Sequence, residues 1–381
     1  TITATDDTFE ISLEDDEYVY DGAAHSNANT PESTAKTGET TYKYSKDGET
    51  WVTDLSELTA TNVADSFTIQ VKGTNPNYEA EATTTAKLTI TPRPVTFTGK
   101  SETREYTGST ITINTVEVTQ TAEGVGLVSG DTHNVEFTAS GIEASTYTGT
   151  ITAKDAVEIK SGNKDVTANY DITVVNGTLT ITQTDTELTV SLEGASYVYD
   201  AAAHSLTAPA TTNAESGATK IEYSKDGETW TTDLSSLTAT NVADSCTIQV
   251  RATNPNYKNT ATDEAELTIT KRPVTFTGES DERAYTGSEI ELTGVEVTPT
   301  GEGVGLVNGH THNVTYSAKG TEVGVYDGTI TAKADVEIKN GETDVTANYE
   351  ITVVNGKLTI KQDEELELTV SLPSESFVYD A

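Results

Sequence analysis

Apolar and polar residues alternate with a period of two along most of the chain. In Phe67-Thr68-Ile69-Gln70-Val71-Lys72 the apolar side chains fall on one face and the polar ones on the other, as expected of a strand with one face buried and one in water. Lys87-Leu88-Thr89-Ile90-Thr91, Ile111-Thr112-Ile113 and Val116-Glu117-Val118 repeat the pattern. No segment sustains the 3.6-residue period of a helix, and Asp54-Leu55-Ser56-Glu57-Leu58 suffices for one helical turn. Asp47-Gly48, between Tyr44 and Trp51, predicts a hairpin. Asn176-Gly177 and Asn355-Gly356 predict further hairpin turns, each leading into a last strand, and Asn75-Pro76-Asn77 predicts another turn. The expectation is an all-β chain of antiparallel sandwiches with solvated outer faces.

Self-similarity then sets the organisation. YSKDGETW runs from Tyr44 to Trp51 and again from Tyr223 to Trp230, an offset of 179 residues (44 to 223). The same offset relates LTATNVADS at Leu58 and Leu237, TNPNY at Thr74 and Thr253, and VTFTG at Val95 and Val274. It also relates EGVGLV at Glu123 and Glu302, DVTANY at Asp165 and Asp344, and ITVVNG at Ile172 and Ile351. Each repeat is too long for one small sandwich. Thr91-Pro92-Arg93-Pro94 and Thr270-Lys271-Arg272-Pro273 divide it, because proline punctuates strands. The reading is module A over 4–92 and 183–271 and module B over 93–182 and 272–361. Residues 1–3 read as the tail strand of a preceding module, and 362–381 as the start of a following module A. The chain thus reads as a stretch of a longer array, with any export signal or anchor expected outside it.

Composition narrows the function classes. The 381 residues carry 23 Lys+Arg against 61 Asp+Glu, a formal net charge of -38. Such a surface repels phosphate backbones and anionic membranes, which excludes nucleic acid as a partner. Hydrophobic residues make up 34%, which suits many thin sandwiches better than one thick core. With Cys246 alone and no Met, an internal disulfide framework is excluded, and an oxidising, extracellular setting is favoured. No apolar run is long enough to span a membrane, so no membrane insertion is expected in this segment.

The motifs resemble two module types of bacterial surface proteins. Module A carries YVYDG at Tyr18, YSKDGETW, and VKGTNPNY ending at Tyr78, which resembles bacterial immunoglobulin-like repeats. Module B carries EYTGS at Glu105, GLVSGD around Leu127 and VTANYDITVVNGTLTIT at Val166, which resembles the MBG/YDG-type repeats of large adhesins. In one respect the second module A departs: Ala201 stands where the first has Gly22. The resemblance implies tandem immunoglobulin-like sandwiches on a bacterial exterior, serving as stalk, spacer or filament in support of adhesion. It also implies a device some surface modules use, a Lys–Asn isopeptide crosslink, for which Lys154 with Asn169 beside Asp165, and Lys333 with Asn348 beside Asp344, are the candidates.

Individual residues add little chemistry. Cys246 takes the place of Phe67, so it reads as apolar filler rather than a nucleophile. His25, His204, His133, His310 and His312 read as surface histidines; His310-Thr311-His312 puts two imidazoles on one strand face, a weak metal pair present in one repeat only. Glu123-Gly124-Val125-Gly126 reads as a turn, and no nucleophile–base motif or phosphate loop is present, so no enzyme activity is expected. Trp51 and Trp230 read as core anchors rather than sugar platforms, alongside the structural anchors Tyr78, Tyr257, Tyr170 and Tyr349. Carboxylates gather where one repeat meets the next: Asp6 and Asp7, Asp185 and Glu187, and Asp363, Glu364 and Glu365. Such clusters suit Ca²⁺, the one cofactor weighed. Expected partners are neighbouring repeats of the same chain, further copies in a fibre, or a host protein or glycan.

Overall fold

The computed structural model describes residues 3–362 and 370–378. The fold is all-β, and the helical segments among the described residues are single 3₁₀ turns. One of these is Leu55–Glu57, capped by the Asp54 carboxylate, which accepts from the Ser56 N–H at 3.0 Å. The chain divides into two compact units, Thr1–Asp185 and Thr186–Ala381.

In the first unit the strand Phe67–Thr74 pairs with Thr41–Ser45 on one side and Ala82–Thr91 on the other, both antiparallel. Asp16–Val19 completes this four-stranded sheet, and it lies parallel to Ala82–Thr91. Ile69, Val71, Ala86, Leu88 and Ile90 are buried, as the alternation predicts. Past Thr91 the chain continues as the strand Arg93–Gly99, which pairs antiparallel with Val116–Val118 and parallel with Tyr170–Val175. Thr178–Thr182 pairs parallel with Glu102–Glu105 and antiparallel with Thr146–Thr148. These three sheets are therefore mixed rather than purely antiparallel: early strands of each half meet its last strands in parallel, which requires the long connections that the intervening strands supply.

Asn176-Gly177 is not a hairpin turn, because the strands on either side of it belong to different sheets. Its glycine is needed for close approach: a Cβ on Gly177 would lie 2.2 Å from the Gly99 carbonyl oxygen. Asp47-Gly48 does turn a hairpin, with Tyr44 bridging antiparallel to Val52 and Gly48 at φ +78.

One apolar cluster runs through most of the first unit, from Phe9 and Ile11 through Ile69, Leu88 and Ile90 to Val95, Phe97, Ile159, Tyr170 and Ile172. The second unit repeats it from Leu192 to Ile351. The sheets before and after Thr91 share a continuous core, and likewise those before and after Thr270.

Candidate functional site

The most elaborate polar construction lies where these two sets of sheets meet. Arg93 follows the divider proline and keeps the inward parity of Val95 and Phe97, so its side chain enters the core and is 5% exposed. Its Nε donates to the Gly126 carbonyl at 2.7 Å, and Nη1 to that of Tyr20 at 3.3 Å. Nη2 donates to the carbonyls of Ala122 and Val125, both at 2.6 Å. A buried guanidinium must have its donors met. Here backbone oxygens meet them, three from the Ala122–Gly126 turn and one from the strand exit at Tyr20. The turn can aim its carbonyls inward because Gly124 and Gly126 take φ +73 and +75. One side chain thereby ties the first set of sheets to the second.

Two further contacts close the joint. Asn169 is buried; its Oδ1 accepts from the Val63 N–H at 2.9 Å and its Nδ2 donates to Asn62 Oδ1 at 3.0 Å. The ring of Tyr20 packs edge-on against that of Tyr170, with centroids 5.5 Å apart. The Tyr170 hydroxyl donates to Asp131 Oδ2 at 2.6 Å and accepts from the Val128 N–H at 3.0 Å. Burial, followed by the bond to Asp131, pushes the Tyr170 phenol well above its ordinary range.

The second unit rebuilds the joint atom for atom. Arg272 donates to Gly305, Tyr199, Gly301 and Val304 at 2.7, 3.4, 2.6 and 2.6 Å. Asn348 accepts from the Val242 N–H at 2.8 Å and donates to Asn241 at 3.0 Å. Tyr199 meets Tyr349 at 5.6 Å. At Asp131 the chemistry changes: its place is taken by His310, with Nδ1 2.7 Å from the Tyr349 hydroxyl.

Tyr170, Tyr349 and Tyr257 are buried. Tyr78 is half-buried, against Phe9 at 5.0 Å, with its hydroxyl accepting from the Lys36 N–H. The tryptophans lie outside the core. Trp51 is half-buried, its Nε1 donates to the Gly48 carbonyl at 3.1 Å, and Lys72 Nζ sits 4.5 Å above its ring. Trp230 has Arg251 at 4.2 Å in the same role. The tight hairpin folds each indole back onto the outer, polar face of its sheet. In the first unit Trp51, Gln70, Lys72 and Thr83–Thr85 line an open groove of about 490 Å³.

His310 and His312 are not surface residues: His310 is buried against Tyr349, and His312 packs on Phe276 at 4.8 Å. The turn Glu123–Gly126 is the cradle of Arg93. Asp6, Asp7, Asp185 and Glu187 are exposed, and Asp363, Glu364 and Glu365 lie outside the described residues. Among the described residues no group of three or more His, Cys, Asp or Glu side chains is arranged to hold a metal ion.

The isopeptide candidates have separate engagements. Lys154 Nζ lies 4.0 Å from Asp171, with both side chains largely exposed, while Asp165 accepts from the Thr167 N–H. Asn169 and Asn348 are committed to the joint, and Lys333 and Asp344 are exposed. No helix among the described residues is long and apolar enough to cross a membrane.

No family model and no curated protein matches the chain. Among solved structures, immunoglobulin domains 1-4 of Sidekick-1 align over 94% of this chain and 100% of that one, at 10% identity and TM-score 0.23. An I-band fragment of titin aligns over 69% and 98%, at 11% identity and TM-score 0.24. Drosophila N-cadherin EC1-4 aligns over 92% and 99%, at 8% identity and TM-score 0.20.

Proposed function

We propose that this chain is a structural segment, a stalk, spacer or filament, of a bacterial cell-surface or extracellular repeat protein that supports adhesion. The working parts are the A modules, 4–92 and 183–271, and the B modules, 93–182 and 272–361, coupled pairwise. The observation that carries this reading is the buried arginine joint, built twice with the same partners. Stiffening each A–B pair in this way removes a hinge from the array, and a spacer needs that more than it needs a pocket. Extension of the full chain under force tests it. The expected record shows two unfolding events, each releasing a whole A–B pair. Four separate module-sized events would overturn it.

A second reading, a ligand-binding adhesin module, is favoured by the half-exposed Trp51 and its groove. Indole faces and polar neighbours suit sugar rings or a host protein surface. A glycan and matrix-protein array probed with the full chain separates the two readings.

A further inference from the structure

We propose that His310 makes the A–B joint of the second unit acid-sensitive, whereas the first unit, with Asp131 in its place, lacks that response. The geometry around the imidazole is unusually defined. His310 is 9% exposed, and its Nδ1 lies 2.7 Å from the Tyr349 hydroxyl. That hydroxyl already accepts from the Val307 N–H at 3.1 Å, so its own hydrogen is directed at Nδ1. The arrangement requires a neutral ring with the proton on Nε2. Protonation turns Nδ1 into a donor, and two donors then face one phenol oxygen whose own hydrogen has lost its acceptor.

Charge on the surrounding elements works in the same direction. From the strand Arg272–Gly278, the buried Arg272 guanidinium acts on His310, and it donates four hydrogen bonds to backbone carbonyls. Tyr349 comes from Tyr349–Val354, and Tyr199 lies 6.2 Å away, ring to ring, from the exit of Ala195–Val198. Across the sheet His310 registers with Asn340, while neighbouring Lys339 is taken up by Glu337 at 3.4 Å. On its own strand His312 is packed on Phe276. Asp200, the carboxylate that interacts with Arg272, is hydrogen-bonded to His204 at 2.9 Å. Among the described residues no carboxylate is hydrogen-bonded to His310.

Burial, with a further push from Arg272, holds the folded-state imidazole below its ordinary 6.5. Its contribution to stability is therefore complete above about pH 6.5 and is lost as pH falls from there toward the folded-state value. The first unit shares the other, half-buried imidazole, His133 standing where the second has His312. A ratio between the units cancels that shared contribution and leaves His310.

Hydrogen exchange on the full chain provides this ratio within a single sample. Peptides covering 307–312 and 349–354 are compared with 128–133 and 170–175 at pH 7.5 and pH 5, after correction for intrinsic rates. The second unit's protection relative to the first is expected to fall about three- to thirtyfold, the upper limit being set by 1.5 pH units at tenfold each. His310→Asn keeps an uncharged side chain at the site and is expected to shift the ratio equally at both pH values. Asp131→His is expected to bring the acid response into the first unit. A wild-type ratio that is the same at both pH values overturns the proposal, as does a pH-dependent ratio that survives in His310→Asn.

Discussion

Replacing Arg93 by lysine keeps the charge and removes the fork. Three donors on one nitrogen can serve the paired carbonyls of Ala122 and Val125, both 2.6 Å from Nη2. They cannot also reach Gly126 and Tyr20, which Nε and Nη1 serve from other directions. Two bonds from a charged donor are therefore lost, at about 1.5–3 kcal/mol each before water compensates. A net destabilisation of about 3 kcal/mol is expected for Arg93→Lys, and about 3–5 kcal/mol for Arg93→Met, which leaves all four carbonyls unserved. For a unit of this size, Thr1–Asp185, about 2–4 °C is lost per kcal/mol, so the lysine variant should melt about 6–12 °C lower. Calorimetry on the full chain is the assay, because the second unit keeps Arg272 and serves as an internal reference. The endotherm should split, with one component moving down and the other staying. A shift under about 2 °C in both variants, or equal movement of both components, would refute the assignment of Arg93 as the tie.

Three other substitutions read different parts of the fold. Among the described residues the buried Tyr316 hydroxyl has no hydrogen-bond partner, and Phe137 occupies its place in the first unit; Tyr316→Phe should therefore stabilise the second unit by about 1–2 kcal/mol in thermal melts. Ala201 holds φ +65 where Gly22 holds +81, so Ala201→Gly should gain up to about 1 kcal/mol, net of the glycine's own chain entropy, and denaturant titration would show it. Hydrogen bonds from the Thr50 and Glu49 N–H groups and then from the Ser45 hydroxyl hold the Asp47 carboxyl at about 2, and the corresponding bonds do the same for Asp226. With an ordinary value of 3.8 in the unfolded chain, this support is present above that pH and is lost as pH falls through about 2. The double variant Asp47→Asn, Asp226→Asn should remove that portion of the acid loss in a pH series of melts.

The strands and the repeat were legible because both are properties of local pattern. Period-two alternation placed Ile69, Val71, Leu88 and Ile90 inside, and there they lie. The parity of Arg-Pro-Val-Thr-Phe also put Arg93 on the inward side, a signal that could have identified it. Its acceptors could not have been found in this way, since every residue has a carbonyl and only the left-handed turns at Gly124 and Gly126 aim these three inward. The Asn169 side chain bonds Val63 and Asn62, more than a hundred residues away in sequence, so no local pattern marks it. Trp51 misled for a different reason. A bulky aromatic after a hairpin is usually core, but Lys72 on the outer face offers its ring a cation. The parallel first-to-last strand pairings left no local trace either, because register across a long connection is decided by packing.

Comparison of the two units also bears on the competing adhesin reading. At the joint, Arg93, Asn62, Asn169, Tyr20 and Tyr170 recur as Arg272, Asn241, Asn348, Tyr199 and Tyr349. On the groove beside the tryptophan the residues drift: Thr83, Thr84 and Thr85 become Thr262, Asp263 and Glu264. Two carboxylates where the first unit has two hydroxyls change both the charge and the hydrogen-bonding character of that wall, so an anionic ligand would not suit both faces. If the groove binds an anionic glycan, binding is expected to be confined to the first unit. The double variant Thr84→Asp, Thr85→Glu should then abolish it, while Trp230→Ala should leave it unchanged. A full chain that binds one glycan with two equivalent sites in titration calorimetry would contradict this, and would shift the weight from the joint to the face.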